Sequence, residues 1–301
     1  MADRALDVVS DGWSYLECPR WHEGRLWVSD FYTERVAAID VHGHHEVIAE
    51  VPQQPSGLGF LPDGRALVVS MRDRRILRRE DSGELVEHAD LSGLVDTLLN
   101  DMVVDHHGGA YVGNFGFDLM SGAAVRSTTL TYVAPDGTPS TVADDLLFPN
   151  GMVLLDGPAG RVLVVAETFG GRLSAFDVAD DGGLGHRRAW ARFSEPSSSD
   201  DVAEALGALS VGPDGICADT EGAIWVADAL NHRVLRVAEG GEILEEISTG
   251  HLGVYACMLG GEDGRTLFMC AAPSFAEHER RPAREGVLLS TTVDVPHAGR
   301  P

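Results

Sequence analysis

A short sequence theme recurs six times along the chain and constrains its fold more than any other feature. Each copy has a glycine at a polar turn, followed by a run of strand-forming residues, as in residues 24–30, Gly-Arg-Leu-Trp-Val-Ser-Asp. The six glycines stand 40 to 62 residues apart: Gly24, Gly64, Gly109, Gly160, Gly222 and Gly264. Helical periodicity is nearly absent outside residues 200–209. Short β-branched strands bounded by Gly and Asp turns at this spacing are typical of propeller blades.

The repeats predict an all-β protein, a six-bladed β-propeller that occupies residues 1–301 as a single domain. In each unit one strand precedes the theme and two strands follow it. The sixth unit ends at its third strand, near residues 286–292. Residues 5–9 belong to no unit of their own, so we expect this N-terminal strand to supply the missing fourth strand. Closing the ring in this way removes exposed sheet edges.

Polar residues from four blades are expected to meet at one end of the central channel. The innermost strand of each blade lines the channel, so the segments that lead into these strands, here called approach segments, lie close together. Four of the six carry a carboxylate or an amide: Glu17, Asn100 with Asp101, Asn150, and Asp214. Buried carboxylates without partners are costly, and such oxygen ligands suit Ca²⁺, Mg²⁺ or Mn²⁺. The alternative is that each Asp or Asn caps a turn, because Pro-Asp-Gly and Asn-Gly are ordinary turn pairs.

The charged residues exclude several chemistries. All 23 basic residues are arginine, against 47 acidic residues, which gives a net charge of −24. Without lysine the chain can form neither a lysine Schiff base nor a P-loop. Its acidity is unfavourable for binding nucleic acid or an anionic membrane surface.

The cysteines and the N-terminal residues indicate a cytoplasmic protein. Cys18, Cys217, Cys257 and Cys270 form no C-x-x-C pair, as expected for reduced, buried thiols. Residues 1–11 have no apolar segment typical of a signal peptide, and no apolar run approaches the length of a membrane span. We expect a monomer or a small homo-oligomer.

Three motifs resemble the regucalcin (senescence marker protein), gluconolactonase and luciferin-regenerating enzyme family. Residues 213–227, Pro-Asp-Gly-Ile-Cys-Ala-Asp-Thr-Glu-Gly-Ala-Ile-Trp-Val-Ala, are similar to the fifth-blade signature of that family almost residue for residue. The family's opening Glu-x-Pro-x-Trp matches residues 17–21, and its Asn-Asp and Asn-Gly pairs match residues 100–101 and 150–151. The resemblance extends over essentially the whole chain.

This resemblance implies a lactonase with one divalent cation held by Glu17, Asn150 and Asp214. Ca²⁺ is the first expectation, with Zn²⁺, Mn²⁺, Mg²⁺ or Fe²⁺ as alternatives. Asn100 and Asp101 would hold the substrate or a water on the cation. Sugar lactonases commonly place an Arg two residues before this Asn, where it contacts substrate hydroxyls, whereas this chain has Leu98.

A hydrolytic mechanism follows as a hypothesis. Asp214 or Asp101 would act as the general base that takes a proton from the attacking water, with Asp101 favoured because a carboxylate bound to a cation is less basic. The loops joining the second and third strands carry many aromatic residues, including Phe115 and Phe169. Together with Leu98, they predict a lactone or ester less polar than a sugar lactone.

Other functions and roles stay open at this stage. One alternative is a propeller that binds a metal or ligand without catalysis. Others are a phosphotriesterase-like or a strictosidine-synthase-like propeller enzyme. Residues 194–210 form a long connection that is either a lid or a plain insertion. His251 and His278 are candidate acid–base groups at the rim, or bystanders.

Overall fold

The computed structural model describes residues 4–157 and 160–299 of the chain. These residues form twenty-four strands in six four-stranded sheets, together with two short α-helices. In chain order the strands are β1 (Asp7–Trp13), β2 (Leu16–His22), β3 (Arg25–Asp30), β4 (Arg35–Ile39), β5 (His45–Glu50), β6 (Pro55–Phe60), β7 (Ala66–Ser70), β8 (Arg75–Arg79), β9 (Leu85–Asp90), β10 (Leu99–Val104), β11 (Ala110–Asn114), β12 (Thr128–Val133), β13 (Pro139–Leu146), β14 (Pro149–Gly157), β15 (Gly160–Glu167), β16 (Arg172–Val178), β17 (Arg188–Arg192), β18 (Pro213–Ala218), β19 (Ile224–Asp228), β20 (Arg233–Val237), β21 (Ile243–Ser248), β22 (Gly253–Gly260), β23 (Thr266–Ala272) and β24 (Gly286–Thr292).

The sheets confirm the six-bladed propeller. Five blades each contain four strands in consecutive order, and the sixth has the order β22, β23, β24 and β1. The inner strands β2, β6, β10, β14, β18 and β22 contact one another in a ring, and β2 touches β22 to close it. The first residues of these inner strands therefore meet around one axis.

The N-terminal strand closes the ring as the sequence predicts. β1 runs antiparallel to β24, with Asp7 opposite Ser290 and Trp13 opposite Gly286. The strand runs over Asp7–Trp13 and so starts and ends later than the predicted residues 5–9. Before it, Arg4 forms ion pairs with Glu245 and with Asp294, which follows β24.

The helices and cysteines add little to the architecture. Helix α1 (Val202–Gly207) falls within the predicted helical stretch, and the Asp201 carboxylate caps it by accepting from Glu204 N at 3.0 Å. Helix α2 (Glu277–Arg280) is too short to leave a periodic signal in the sequence. Among the described residues no helix is long and apolar enough to cross a bilayer. All four cysteines are buried and free.

Every inner strand carries a β-bulge at the position of its approach segment. One extra residue of the inner strand is inserted against the second strand of the blade, which locally turns the backbone and redirects side chains. The register shifts that bear on the polar residues fall between Glu17 and Arg20, Leu99 and Met102, Pro149 and Met152, and Pro213 and Ile216. Asn150 and Asp214 therefore lie in bulged strands, rather than in the turns that the alternative interpretation requires.

The glycines after Asn150 and Asp214 allow neighbouring inner strands to approach closely. A Cβ on Gly151 would lie 2.5 Å from the backbone nitrogen of Ile216, and a Cβ on Gly215 would lie 2.5 Å from the Cβ of Ala256. Neither glycine needs a positive φ. Their absent side chains let the bulges pack against one another around the channel.

Replacing Gly151 with alanine should therefore force adjacent inner strands apart. We expect Gly151→Ala to lower the free energy of unfolding by about 1–3 kcal/mol, the usual cost of overpacking. Gly93→Ala is the matched control, since a Cβ there meets nothing within 4 Å, and it should change stability by less than about 0.5 kcal/mol. Urea unfolding of both variants measures the difference, and equal stabilities would contradict this account of the channel.

Candidate active site at the mouth of the axial channel

A cavity at one end of the channel brings together four of the predicted polar residues. Glu17, Asn100, Asn150 and Asp214 line it, and each is more than nine-tenths buried. Most of the remaining wall is aromatic: Tyr15, Phe31, Tyr32, Phe115, Phe148, Phe169, Tyr255 and Phe275. The three predicted metal ligands thus share one largely apolar cavity.

A buried acceptor holds the approach segment of every blade that contributes to this polar group. The acceptor is the last residue of the second strand. The pairs are Asp30 with Tyr15 N (2.9 Å), Asn114 with Thr97 Oγ1 (3.2 Å), Glu167 with Leu147 N (2.9 Å) and Asp228 with Gly212 N (3.0 Å). The two remaining blades have Ser70 and Ala272 at this position. The acceptors therefore occur in the four blades whose inner strands present Glu17, Asn100, Asn150 and Asp214.

Side-chain hydrogen bonds connect the amides to the next blade, directly for Asn100 and through Thr168 for Asn150. Asn100 Nδ2 donates to the carbonyl of Pro149 at 3.2 Å, and Asn150 Nδ2 donates to Thr168 Oγ1 at 3.2 Å. Thr168 in turn donates to the carbonyl of Pro213 at 2.8 Å. The amide nitrogens are thereby used for structure, which leaves each amide oxygen available to a ligand.

Burial strongly perturbs the two carboxyl groups of the cavity. Burial raises the pKa of Glu17 to about 8; the nearby charge of Asp101 adds to the rise, and the hydrogen bond from Cys18 N opposes it. Burial also raises the pKa of Asp214 well above its usual range, with further rises from the charges of Glu17 and Asp101. Two acids in an apolar cavity thus disfavour their ionised forms until a positive charge compensates them.

The donor set fits a hard divalent cation. Oδ1 of Asp214 is fully buried and has no hydrogen-bond partner, which is costly for a carboxylate oxygen unless a ligand occupies that position. No group of three or more His, Cys, Asp and Glu side chains in the described part of the chain is arranged to hold a metal. A cation here would therefore need the amide oxygen of Asn150 beside Glu17 and Asp214, an all-oxygen set of the kind Ca²⁺ prefers.

The structure distributes the predicted substrate-binding residues unevenly. Asn100, Phe115 and Phe169 line the cavity. Leu98 lies instead beside a neighbouring surface depression. Asp101 is buried next to the cavity, where its Oδ1 accepts a hydrogen bond from the guanidinium of an arginine on β2 at 2.7 Å.

Sequence reasoning did not assign Tyr15 and Tyr255 to the aromatic wall. Tyr15 precedes Glu17 by two residues, and Tyr255 occupies the bulge position of β22, so both could have been found by extending the approach-segment comparison to apolar side chains. Their rings lie 4.9 Å apart. Leu206 of α1 also lines the cavity, which places α1, within residues 194–210, beside it. His251 and His278 lie at the exposed surface and do not line the cavity.

Comparison with known proteins identifies the family. Residues 16–273 match the SMP-30/gluconolactonase/LRE-like region. The 6-deoxy-6-sulfogluconolactonase of Pseudomonas putida is 25% identical over 296 residues, which cover 95% of this chain and 93% of that protein. A calcium-binding protein, regucalcin, from Agrobacterium tumefaciens has the same fold, with a TM-score of 0.79 and 19% identity over 100% of this chain and 99% of that one.

A second solved structure has the same fold. The gluconolactonase of Xanthomonas campestris superimposes with a TM-score of 0.70 and 23% identity, covering 98% of this chain and 91% of that chain. The match over residues 16–273 includes the Glu-x-Pro-x-Trp motif, both Asn pairs and the fifth-blade signature. The chain therefore belongs to the SMP-30/gluconolactonase/LRE-like family.

Proposed function

We propose that this chain is a divalent-metal-dependent lactonase whose substrate is less polar than a sugar lactone. The observation that carries the proposal is the unpartnered, buried Oδ1 of Asp214 beside the buried carboxyl group of Glu17. Two such acids in a mainly aromatic cavity are unfavourable without a compensating cation. The family and the lactonase relative from Pseudomonas putida support hydrolysis of a lactone.

Glu17, Asn150 and Asp214 would hold the cation through oxygen atoms. When bound there, a divalent cation supplies Lewis-acid polarisation of a carbonyl and compensates negative charge on its oxygen. The bulges and glycines of the inner strands keep these side chains directed into the cavity. Their position on strands makes the site more rigid than one built on flexible loops.

Asn100 and Asp101 would orient the reactants and move the proton. Asn100 lines the cavity. Its amide nitrogen bonds the Pro149 carbonyl, so its amide oxygen stays available to a ligand. The ion pair of Asp101 uses Oδ1, so Oδ2 is the atom that would accept a proton from the attacking water. The aromatic wall would pack against the lactone ring and exclude bulk water.

The character of the wall argues for an uncharged, weakly polar substrate. None of the described residues that line the cavity is Arg, Lys or His. A sulfonate or carboxylate on the substrate would therefore find no cationic side chain in the wall. Phe115 and Phe169 offer apolar contact instead, so we infer an alkyl- or aryl-substituted lactone.

Removing Asp214 should abolish both metal binding and turnover. In Asp214→Ala the cation loses a charged ligand, and we expect no measurable Ca²⁺ binding by calorimetry and a fall in kcat/KM of at least about a thousandfold. Asp144→Ala, at an exposed residue of β13, is the matched control and should behave as the unmodified protein. A variant that retains full activity would contradict the proposed ligand set.

The raised pKa of Glu17 predicts a pH-dependent stability of the metal-free protein. An acid whose pKa rises on folding keeps its proton in the native state and loses it in the unfolded state. Its contribution is fully present below the usual pKa near 4.5 and is lost as the pH rises through about 8. Urea unfolding with chelator should therefore show a loss of at least about 1.4 kcal/mol, the equivalent of one pKa unit, between pH 5 and pH 8.

Two controls isolate Glu17 in that experiment. Glu17→Gln cannot ionise, so its loss of stability over the same pH range should be smaller. Saturating Ca²⁺ should also reduce the loss, because the cation favours the ionised carboxylate. A pH slope that neither change alters would reject Glu17 as its source.

A lactone panel tests the inferred substrate class. We expect higher kcat/KM for alkyl- and aryl-substituted lactones than for gluconolactone. Phe169→Ala should lower kcat/KM for an aryl lactone by about 10- to 200-fold, the usual value of 1–3 kcal/mol of apolar contact. Phe60→Ala is the matched control, because that ring stacks on His22 away from the cavity. Preference for gluconolactone would contradict the inferred substrate class but not the proposed metal site.

A further inference from the structure

Arg20 is a buried cation beside the site and is not one of the predicted ligands or substrate contacts. It lies on β2 three residues after Glu17, and only 5% of its surface is exposed. Its Nη2 donates to Asp101 Oδ1 at 2.7 Å and to the carbonyl of Met102 at 2.6 Å. Its Nη1 donates to the carbonyl of Pro19 at 2.8 Å. The guanidinium is thus fixed by one carboxylate and two backbone carbonyls.

The Arg20–Asp101 pair separates two cavities along the channel. Arg20 lines a second cavity that opens towards the opposite face, together with Val103 and Ile216. These residues follow Asn100 and Asp214 along the same inner strands, so the second cavity continues the channel beyond the candidate active site. No described residue lines both cavities, and the ion pair lies between them.

The net charge of the ionisable groups at this position balances the charge of one divalent cation. Three buried carboxylates interact here, since the charge of Asp101 raises the pKa of both Glu17 and Asp214, whereas that of Arg20 lowers the pKa of Glu17. Asp101 is compensated by its direct ion pair with Arg20. With all groups ionised, three negative charges and one positive charge leave a net charge of −2.

We propose that Arg20 is a positioning and charge-setting residue: its guanidinium holds Asp101 in place and leaves Glu17 and Asp214 as the two uncompensated charges that select a divalent cation. This inference rests on the proposed function, because it assigns a role towards the cation held by that site. The role requires arginine rather than lysine, since the fork of N–H groups reaches Asp101 and two carbonyls at once.

Metal binding by Arg20→Met distinguishes a charge role from a merely structural one. Methionine replaces the aliphatic part of the arginine side chain, while the guanidinium and its positive charge are lost. The site then carries three uncompensated carboxylates, and Ca²⁺ should bind at least about tenfold more tightly to chelator-treated protein. La³⁺ should gain more than Ca²⁺ does. Structural damage alone would weaken binding of both ions. Turnover should fall, because Asp101 loses the contact that orients it.

Asp101→Asn and the double variant complete the test, including the case in which Arg20→Met does not fold. The amide introduced by Asp101→Asn can still accept from Arg20, but the guanidinium is then uncompensated, and Ca²⁺ should bind at least about tenfold more weakly. Arg20→Met combined with Asp101→Asn restores the net charge of −2 and should return the Ca²⁺ affinity to within about threefold of the unmodified protein. Lower turnover should remain in the double variant.

The outcomes separate this inference from the proposed function. If the unmodified protein binds no divalent cation, the proposed metal dependence fails. If it binds Ca²⁺ but Asp101→Asn leaves the affinity unchanged, or the double variant does not recover it, the role of Arg20 is overturned and the lactonase proposal stands. A weaker affinity for La³⁺ in a folded Arg20→Met protein would likewise overturn it.

Discussion

In the four blades that carry the polar residues, the hydrogen bond between the approach segment and the last residue of the second strand is the interaction on which the rest of the site depends. Asp30, Glu167 and Asp228 are almost completely buried and accept backbone N–H groups two or three residues before Glu17, Asn150 and Asp214. A buried carboxylate acts here as a structural anchor, because it satisfies backbone donors that enter the channel away from water. The bulge that follows then directs the next polar side chain into the cavity.

The same arrangement leaves the site with unfavourable features that a ligand would relieve. Cys18, which follows Glu17, and Phe148, two residues before Asn150, adopt positive φ angles of 50° and 60°. L-residues rarely adopt this conformation, which concentrates at functional sites. The buried Oδ1 of Asp214 has no partner. Backbone strain and an unpaired carboxylate oxygen at one cavity are together best explained by a function that needs them.

The repeat in the sequence was sufficient to predict the blade count, the ring closure and the convergence of Glu17, Asn100, Asn150 and Asp214. These follow from topology, because equivalent positions in a closed ring must meet at the axis. Side-chain partners were not predictable in the same way. Asp101 lies beside the cavity, but it pairs with Arg20, so the ion pair joins β10 of the third blade to β2 of the first. Leu98 lies beside a neighbouring depression. Such contacts depend on side-chain rotamers and on the exact strand register, which cannot be read from a single sequence.

The central claim is that lactone hydrolysis at this site requires a divalent cation, and one purified sample can test it directly. Its metal content and its turnover of an aryl-substituted lactone would be measured before chelation, after exhaustive chelation and after Ca²⁺ is restored. The account predicts that activity disappears with the metal and returns on addition of about one equivalent of cation per chain. Full turnover by metal-free protein would contradict it.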